Sequence, residues 1–273
     1  MHQSSGAKWR NMDKYLCIFA KTFKSNMVYR SSLFLNIVFQ AIYFLLQYYL
    51  WRSLIGGGVY MGVTLDDMIF YSMLSTLVMT LSDAAVESDL ENEIRDGSVI
   101  LHFLRPISFK LNCLATTFGN NLYYCITQML PVYVIGAFTI GIPGPASAWG
   151  GIGFVLSALL GMLISFEIRY IVGLLAFWIQ KTWYLSWYLD FGYVLCGGQL
   201  VPLWFFPQVW NAICYALPFR YISQDAISMY LGITSGAGIA LSLTMSVVWL
   251  IALMLLERRL WRLAVRKLCV NGG

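Results

Sequence analysis

Residues 151–179 read GIGFVLSALLGMLISFEIRYIVGLLAFWI, and only Glu167 and Arg169 interrupt the run with charge. An α-helix crosses a hydrocarbon core of about 30 Å in roughly 20 residues, so this stretch is long enough to span a membrane on its own. Apolar stretches of similar length recur near 31–55, 68–86, 111–140, 183–203 and 236–256. The pattern predicts an all-α, polytopic membrane protein with six transmembrane helices, read as one domain over 1–273.

Composition agrees with that reading. Hydrophobic residues make up 59% of the chain and charged residues 11%, with a mean hydropathy of +0.68. An ordinary globular domain carries about 25% charged residues, and so little charge would not cover a soluble surface. The net charge of +5 is spread over short basic stretches that flank apolar runs, which argues for topology signals and against nucleic-acid binding. The opening MHQSSGAKWRNMDKYL has no uninterrupted apolar core followed by a small-residue cleavage site, so the first span is expected to act as its own insertion signal.

Orientation follows from where Lys and Arg fall. With both ends in the cytoplasm, 15 of the 18 basic residues lie inside, Arg52 and Arg220 lie outside, and Arg169 sits within a span. Ahead of the first span, Trp9, Met12, Leu16, Phe19, Phe23 and Met27 recur at three- and four-residue steps, with Lys8, Arg10, Lys14, Lys21 and Lys24 between them. The region 8–30 therefore reads as a basic amphipathic helix, expected to lie on the inner leaflet, with packing as a cytosolic helix the alternative. Tyr48, Tyr49, Trp51, Trp183, Trp187 and Trp204 fall near span ends and read as interface anchors.

Two connecting segments are more than linkers. Residues 87–110 (ESDLENEIRDGSVILHFLRPISFK) form the most charged stretch and lie on the cytoplasmic side. They read as a helix from about Glu87 to Arg95, a break at Asp96 and Gly97, and a stop at Pro106. Residues 204–230 are apolar, yet Pro202, Pro207 and Pro218 punctuate the region and it carries Arg220. Two short helices that dip into the outer leaflet and return fit this better than a full crossing, because irregular backbone survives at membrane depth only inside protein or around a cavity.

Catalytic groups are missing from the sequence. No GxxxxGK[ST] loop is present to cradle a nucleotide, so any ATP that drives this protein is hydrolysed by another chain. His2 and His102 are the only histidines, which leaves no metal-ligand or nucleophile cluster and no bound cofactor. The six cysteines show no CxxC spacing; Cys196 and Cys214 are the two near an oxidising face, and a disulfide between them stays open.

The sharper signal is the intramembrane charge, because an ionisable side chain near the bilayer centre costs on the order of 2.5 to 3.5 kcal/mol. Glu167 and Arg169 fall in the fourth span and Asp190 in the fifth. Counting back from Lys181, Arg169 lies about 18 Å deep and Asp190 about 14 Å, at 1.5 Å per residue. Those depths predict an Arg169–Asp190 bridge, with Glu167, two residues away on another face, pairing elsewhere or facing a cavity. Gly153, Gly161 and Gly173 in the fourth span, and Gly192, Gly197 and Gly198 in the fifth, allow close helix approach, although neither span carries GxxxG.

Two motifs carry a resemblance. The cytoplasmic segment contains Ile94, Arg95, Gly97, then Leu104, Arg105 and Pro106; the outer one contains Gly198, Pro202, Leu203, Phe206 and Pro207, then Leu217, Pro218 and Phe219. These, with six spans and an amphipathic leading helix, resemble the ABC type-2 permease family, the membrane subunits of ATP-binding-cassette exporters. The resemblance implies that residues 87–110 form a coupling segment docking into an ATPase, with Glu91, Arg95, Gly97, Leu104, Arg105 and Pro106 as coupling residues. It implies that the outer helices, with Pro202, Phe206, Pro207, Pro218 and Phe219, gate the pathway. It further implies ATP and Mg on a partner ATPase dimer, a second permease subunit, identical or paralogous, and a bacterial cytoplasmic membrane with its lipids. Arg220, Gln224 and Asp225 depart from the pattern, being polar for a segment dipping into lipid.

The expected function is a permease subunit that moves an amphipathic drug, peptide, lipid or glycan outward. The rival reading is a secondary transporter or channel with Glu167, Arg169 and Asp190 as an ion or proton relay.

Overall fold

A computed structural model describes residues 4–27, 30–56, 58–59, 62–100, 108–131, 133–134, 144–179 and 181–271. The regular elements among them are all helices, in the order α1 (Ser4–Asn26), α2 (Arg30–Ile55), α3 (Leu65–Ser82), α4 (Val86–Arg95), α5 (Phe109–Tyr124), α6 (Ala148–Leu174), α7 (Trp183–Cys196), α8 (Gln208–Tyr215), α9 (Gln224–Tyr230) and α10 (Ala237–Asn271). A wide π turn, Cys125–Met129, prolongs α5, and 3-10 turns cover Leu175–Phe177, Leu203–Phe205 and Pro218–Tyr221.

Four stretches among the described residues are long and apolar enough to cross a membrane: Phe34–Ile55, Leu65–Arg95, Ala148–Phe177 and Ala237–Lys267. The expected span at 111–140 coincides with α5 and its π turn, but residues 132 and 135–143 lie outside the described residues. The expected span at 183–203 is shorter as a helix. α7 has 14 residues, about 21 Å at 1.5 Å each, and it stops where Gly198 takes φ +67°, a conformation only glycine adopts without penalty.

The long helices start where the sequence caps them. Thr64 and Asp67 form a reciprocal capping box at the head of α3, with Thr64 N donating to Asp67 Oδ2 at 2.9 Å and Asp67 N to Thr64 Oγ1 at 3.3 Å. Ser147 Oγ accepts from Gly150 N at 2.9 Å at the head of α6. The second expected span, 68–86, is broken: α3 ends at Ser82, residues 83–85 are not helical, and α4 follows. Asn121 of α5 holds this link, its Nδ2 donating to Leu81 O at 2.7 Å and Asp83 O at 2.5 Å. α4 closes as the sequence reading expects, at Arg95 and Asp96, with Gly97 at φ +75°.

α6 is the central mast. Its middle and end are buried, and α10, α9, α4 and α3 pack around it. Three apolar clusters line its course: Leu90, Phe109, Phe166, Tyr170 and Leu174 with α4 and α5 at one end; Ile164, Ile168, Tyr193, Tyr221 and Leu253 at the middle; Ala158 with Val78 and Ala226 toward the other end. Glycine permits the approach. A Cβ on Gly161 would run into the Ile222 carbonyl, and one on Gly173 would stand 2.9 Å from Leu90 Cδ2 and 3.0 Å from Glu87 Cα.

The leading amphipathic helix is α1, which packs along α5. Phe23 meets Tyr123 edge-on at 5.7 Å, Asn26 Nδ2 donates to Asn120 Oδ1 at 2.7 Å, and Ser108 N donates to Tyr15 Oη at 3.0 Å. Leu16 and Met27 remain exposed on its other side. Among the expected interface anchors, Tyr49, Trp183 and Trp187 are exposed, but Trp51 is buried, its indole N–H donating to Ser72 Oγ at 3.1 Å. An indole in protein interior needs an acceptor, and α3 supplies it.

Candidate functional site

Arg169 lies deep in α6 and collects carboxylates from three directions. Its Nη1 is 2.6 Å from Glu87 Oε1 on α4, and its Nη2 is 2.6 Å from Asp190 Oδ1 on α7 and 4.0 Å from Asp83 Oδ1 in the α3–α4 link. The guanidinium also stands 5.1 Å from the Tyr193 ring centroid. Arginine suits this position because its planar fork points two N–H groups at two separate oxygens, where a lysine ammonium is a single point. The bridge to Asp190 that the depth count predicts is present. Glu87, which shares the same guanidinium, was not legible in sequence, because it sits beyond the helix break at 83–85.

The exposures are unequal. Arg169 and Glu87 are buried, but the side chains of Asp190 and Asp83 are 56% and 71% exposed. Both open onto a cavity of about 560 Å³, lined also by Asn36, Thr76, Met79, Thr80, Ser82, Tyr124, Tyr193 and Gln199. Ser82 Oγ and Arg169 Nε are buried with no hydrogen-bond partner among the described residues. A second cavity of about 290 Å³ runs between α4 and α5, past Asp89, Glu93, Asn112 and Asn120, and shares Asp83 and Tyr124 with the first.

Glu167 pairs elsewhere. Lys110, at the head of α5, places its Nζ 2.5 Å from Glu167 Oε1 and 3.1 Å from Glu257 Oε2 on α10. This second network ties three helices together and sits apart from the Arg169 cluster, as the two-residue offset requires.

Of the expected coupling residues, Glu91 turns inward. Its Oε2 accepts from Thr182 N at 2.8 Å and Thr182 Oγ1 at 2.6 Å, at the head of α7. Glu91 therefore caps a helix inside the protein, a role its charge alone did not announce. Arg95 is exposed and donates to Asn92 Oδ1 at 2.8 Å, and Gly97 ends α4. Leu104, Arg105 and Pro106 lie outside the described residues, as does His102.

The outer segment is more divided than two helices. Pro202 precedes the 3-10 turn Leu203–Phe205, Pro207 caps α8, Pro218 opens the turn Pro218–Tyr221, and α9 follows. Each proline sits where its missing N–H costs nothing, at the head of a short helix. Phe206 and Phe219 pack around Cys196, Leu203 and Cys214, and both thiols are free. Burial, with the Cys196 thiol beside it, pushes the Cys214 thiol up to about 11.

The polar residues that depart from the family pattern are buried in protein. Arg220 Nε meets Asp225 Oδ1 at 2.7 Å and the guanidinium Cζ lies 3.6 Å from the Tyr215 ring centroid, while Ser242 Oγ donates to Asp225 Oδ2 at 2.5 Å. Tyr71 Oη lies 2.5 Å from Gly198 O and 2.7 Å from Gln224 Oε1. The break in the pattern at these positions was the available signal: charges in an apolar, proline-broken segment are paired or absent. No group of three or more His, Cys, Asp or Glu side chains that could hold a metal ion occurs among the described residues.

A bundle of apolar helices, with ion pairs buried between them and a cavity onto which Asp83 and Asp190 open, defines a polytopic membrane protein. The chain belongs to the ABC-2 transporter family: the model described as ABC-2 family transporter protein matches residues 37–272. No curated protein matches it.

Proposed function

We propose that the protein is the membrane-spanning subunit of an ABC exporter, moving an amphipathic cargo outward with ATP and Mg held by a separate ATPase. It crosses a bacterial cytoplasmic membrane six times, with both termini inside. A dimer of ATPases docks beneath α4 and the loop after it, and a second permease subunit, identical or paralogous, completes the pathway. The leading helix α1 rests against the lipid headgroups. The short outer helices close the top, and the cavity between α3 and α7 carries the cargo.

The observation that supports this reading best is α4. It is a short, charged helix, set off from α3 by a non-helical link, pinned to the mast on one side and presenting Arg95 on the other. A carrier driven by an ion gradient has no need of such an element.

The test is purification from cells that hold the neighbouring genes. A nucleotide-hydrolysing chain should co-purify with the wild type and be lost with Arg95→Glu or Arg105→Glu. The exposed carboxylates of Asp83 and Asp190 give the rival ion relay its one support. Transport in vesicles that persists without ATP and stops when the proton gradient is collapsed would establish that rival instead.

A further inference from the structure

α4 holds the far wall of the cavity at two points. Glu87 and Glu91 are one turn apart and so share a face, and both are buried. Glu91 Oε2 takes both the N–H and the hydroxyl of Thr182, the residue that starts α7. Glu87 takes one arm of Arg169, whose other arm is on Asp190, two turns further along α7. The opposite wall, Thr76 and Thr80, belongs to α3, from which α4 is separated by the non-helical link 83–85.

We propose that Arg169 is a positioning residue that transmits the movement of α4 to the cavity, because its two arms make α4 and the Asp190 wall move together relative to α3. A bridge buried at both ends would not reach the cavity. This one is buried at Glu87 and open to the cavity at Asp190, with side-chain exposures of 6% and 56%. The Nε atom keeps no hydrogen-bond partner among the described residues, so the guanidinium is held through its two Nη arms, with Asp83 at 4.0 Å and the Tyr193 ring at 5.1 Å as more distant contacts. The inference rests on the proposed function, since it is an ATPase beneath α4 that would drive the movement.

The test uses the co-purified complex in lipid nanodiscs, with Thr80→Cys as a reporter on the α3 wall and a small water-soluble maleimide as the probe. Labelling above the Thr80 parent is timed without nucleotide and after trapping with ATP and vanadate. Couplings of about 5- to 150-fold are typical of linked sites, so the reporter rate should differ by at least about fivefold between the two states.

In Glu87→Gln the ATPase should stay bound and hydrolyse ATP, because Glu87 faces the mast and not the partner, while the difference shrinks below about twofold. Arg169→Lys, which offers one ammonium in place of two arms, should lose it as well. The inference is overturned if both variants keep the full difference, or if the wild-type rates are equal in the two states. If no ATPase co-purifies with the wild type, the proposed function fails first and takes the inference with it.

Discussion

Arg169 shows how far a residue can be read from sequence. Its need for a counter-charge followed from depth alone, and Asp190 was in reach because the α6–α7 hairpin fixes both depths. The partner that shares its burial is Glu87, however, and that pairing depends on the chain folding back at 83–85. The consequence is testable. Removing one member of a buried pair costs about 3 to 5 kcal/mol, because the other is left buried and uncompensated. Arg169→Gln strands Glu87 in the interior, whereas Asp190→Asn leaves Arg169 still paired with Glu87. Thermal unfolding in detergent should therefore show a much larger loss for Arg169→Gln than for Asp190→Asn. Exchanging the two charges, Arg169→Asp with Asp190→Arg, should not restore stability, since it sets a carboxylate against Glu87. Adding Glu87→Gln to the exchange should recover part of it. Gly198 is a second residue whose role is geometric. At φ +67°, with Gln224 Oε1 where a Cβ would go, Gly198→Ala combines left-handed strain of about 1 to 3 kcal/mol with a steric collision. It should lower the melting temperature and disturb the Tyr71–Gln224 contact, visible as increased proteolysis in the outer segment.

At the scale of elements, apolar length and caps made the long helices legible, and glycine and proline placed the breaks. Helices α4 and α8 end and begin where Gly97 and Pro207 say they should. What sequence did not reveal is which elements touch. The small residues of α6 signalled close approach but named no partner, because helix contacts in a bilayer depend on packing that no local pattern records. The same limit hid the division of the outer segment into two 3-10 turns and two α-helices, each too short to have a period of its own. The packing now assigns separate roles to the glycines. Gly173 receives α4, and Gly161 receives the turn before α9. Overpacking a tight interface costs roughly 1 to 3 kcal/mol. Gly161→Ala, which meets backbone, should sit at the top of that range or above it, and Gly58→Ala, with nothing near its Cβ, should be neutral. Gly173→Ala should fall between them, and it alone should weaken recovery of the ATPase, because it lifts α4 from its seat.

At the scale of the whole molecule, the charge asymmetry and the lengths of the helices make different demands, and the outer segment is where they meet. Placing both termini inside puts fifteen of the eighteen basic residues on one side, and that placement requires an even number of crossings. The four long apolar stretches satisfy parity by themselves, so α5 and α7 must either both cross or both fail to cross. If neither crosses, α6 runs in the opposite direction and antiparallel to α10, against the packing of the start of α6 at Gly153 on the start of α10 at Ile239. If both cross, Val209 on α8 and Ser235 between α9 and α10 face outward, and Ser98 after α4 faces inward. Val209 is 74% exposed, so no protein packing covers a cysteine there. In intact cells, Val209→Cys and Ser235→Cys should react with a membrane-impermeant maleimide, while Ser98→Cys should react only after the membrane is opened. Labelling of Ser235→Cys without Val209→Cys would mean that residues 204–230 cross the membrane instead of returning. Labelling of Ser98→Cys from outside would turn the molecule over and remove α4 from any cytoplasmic partner.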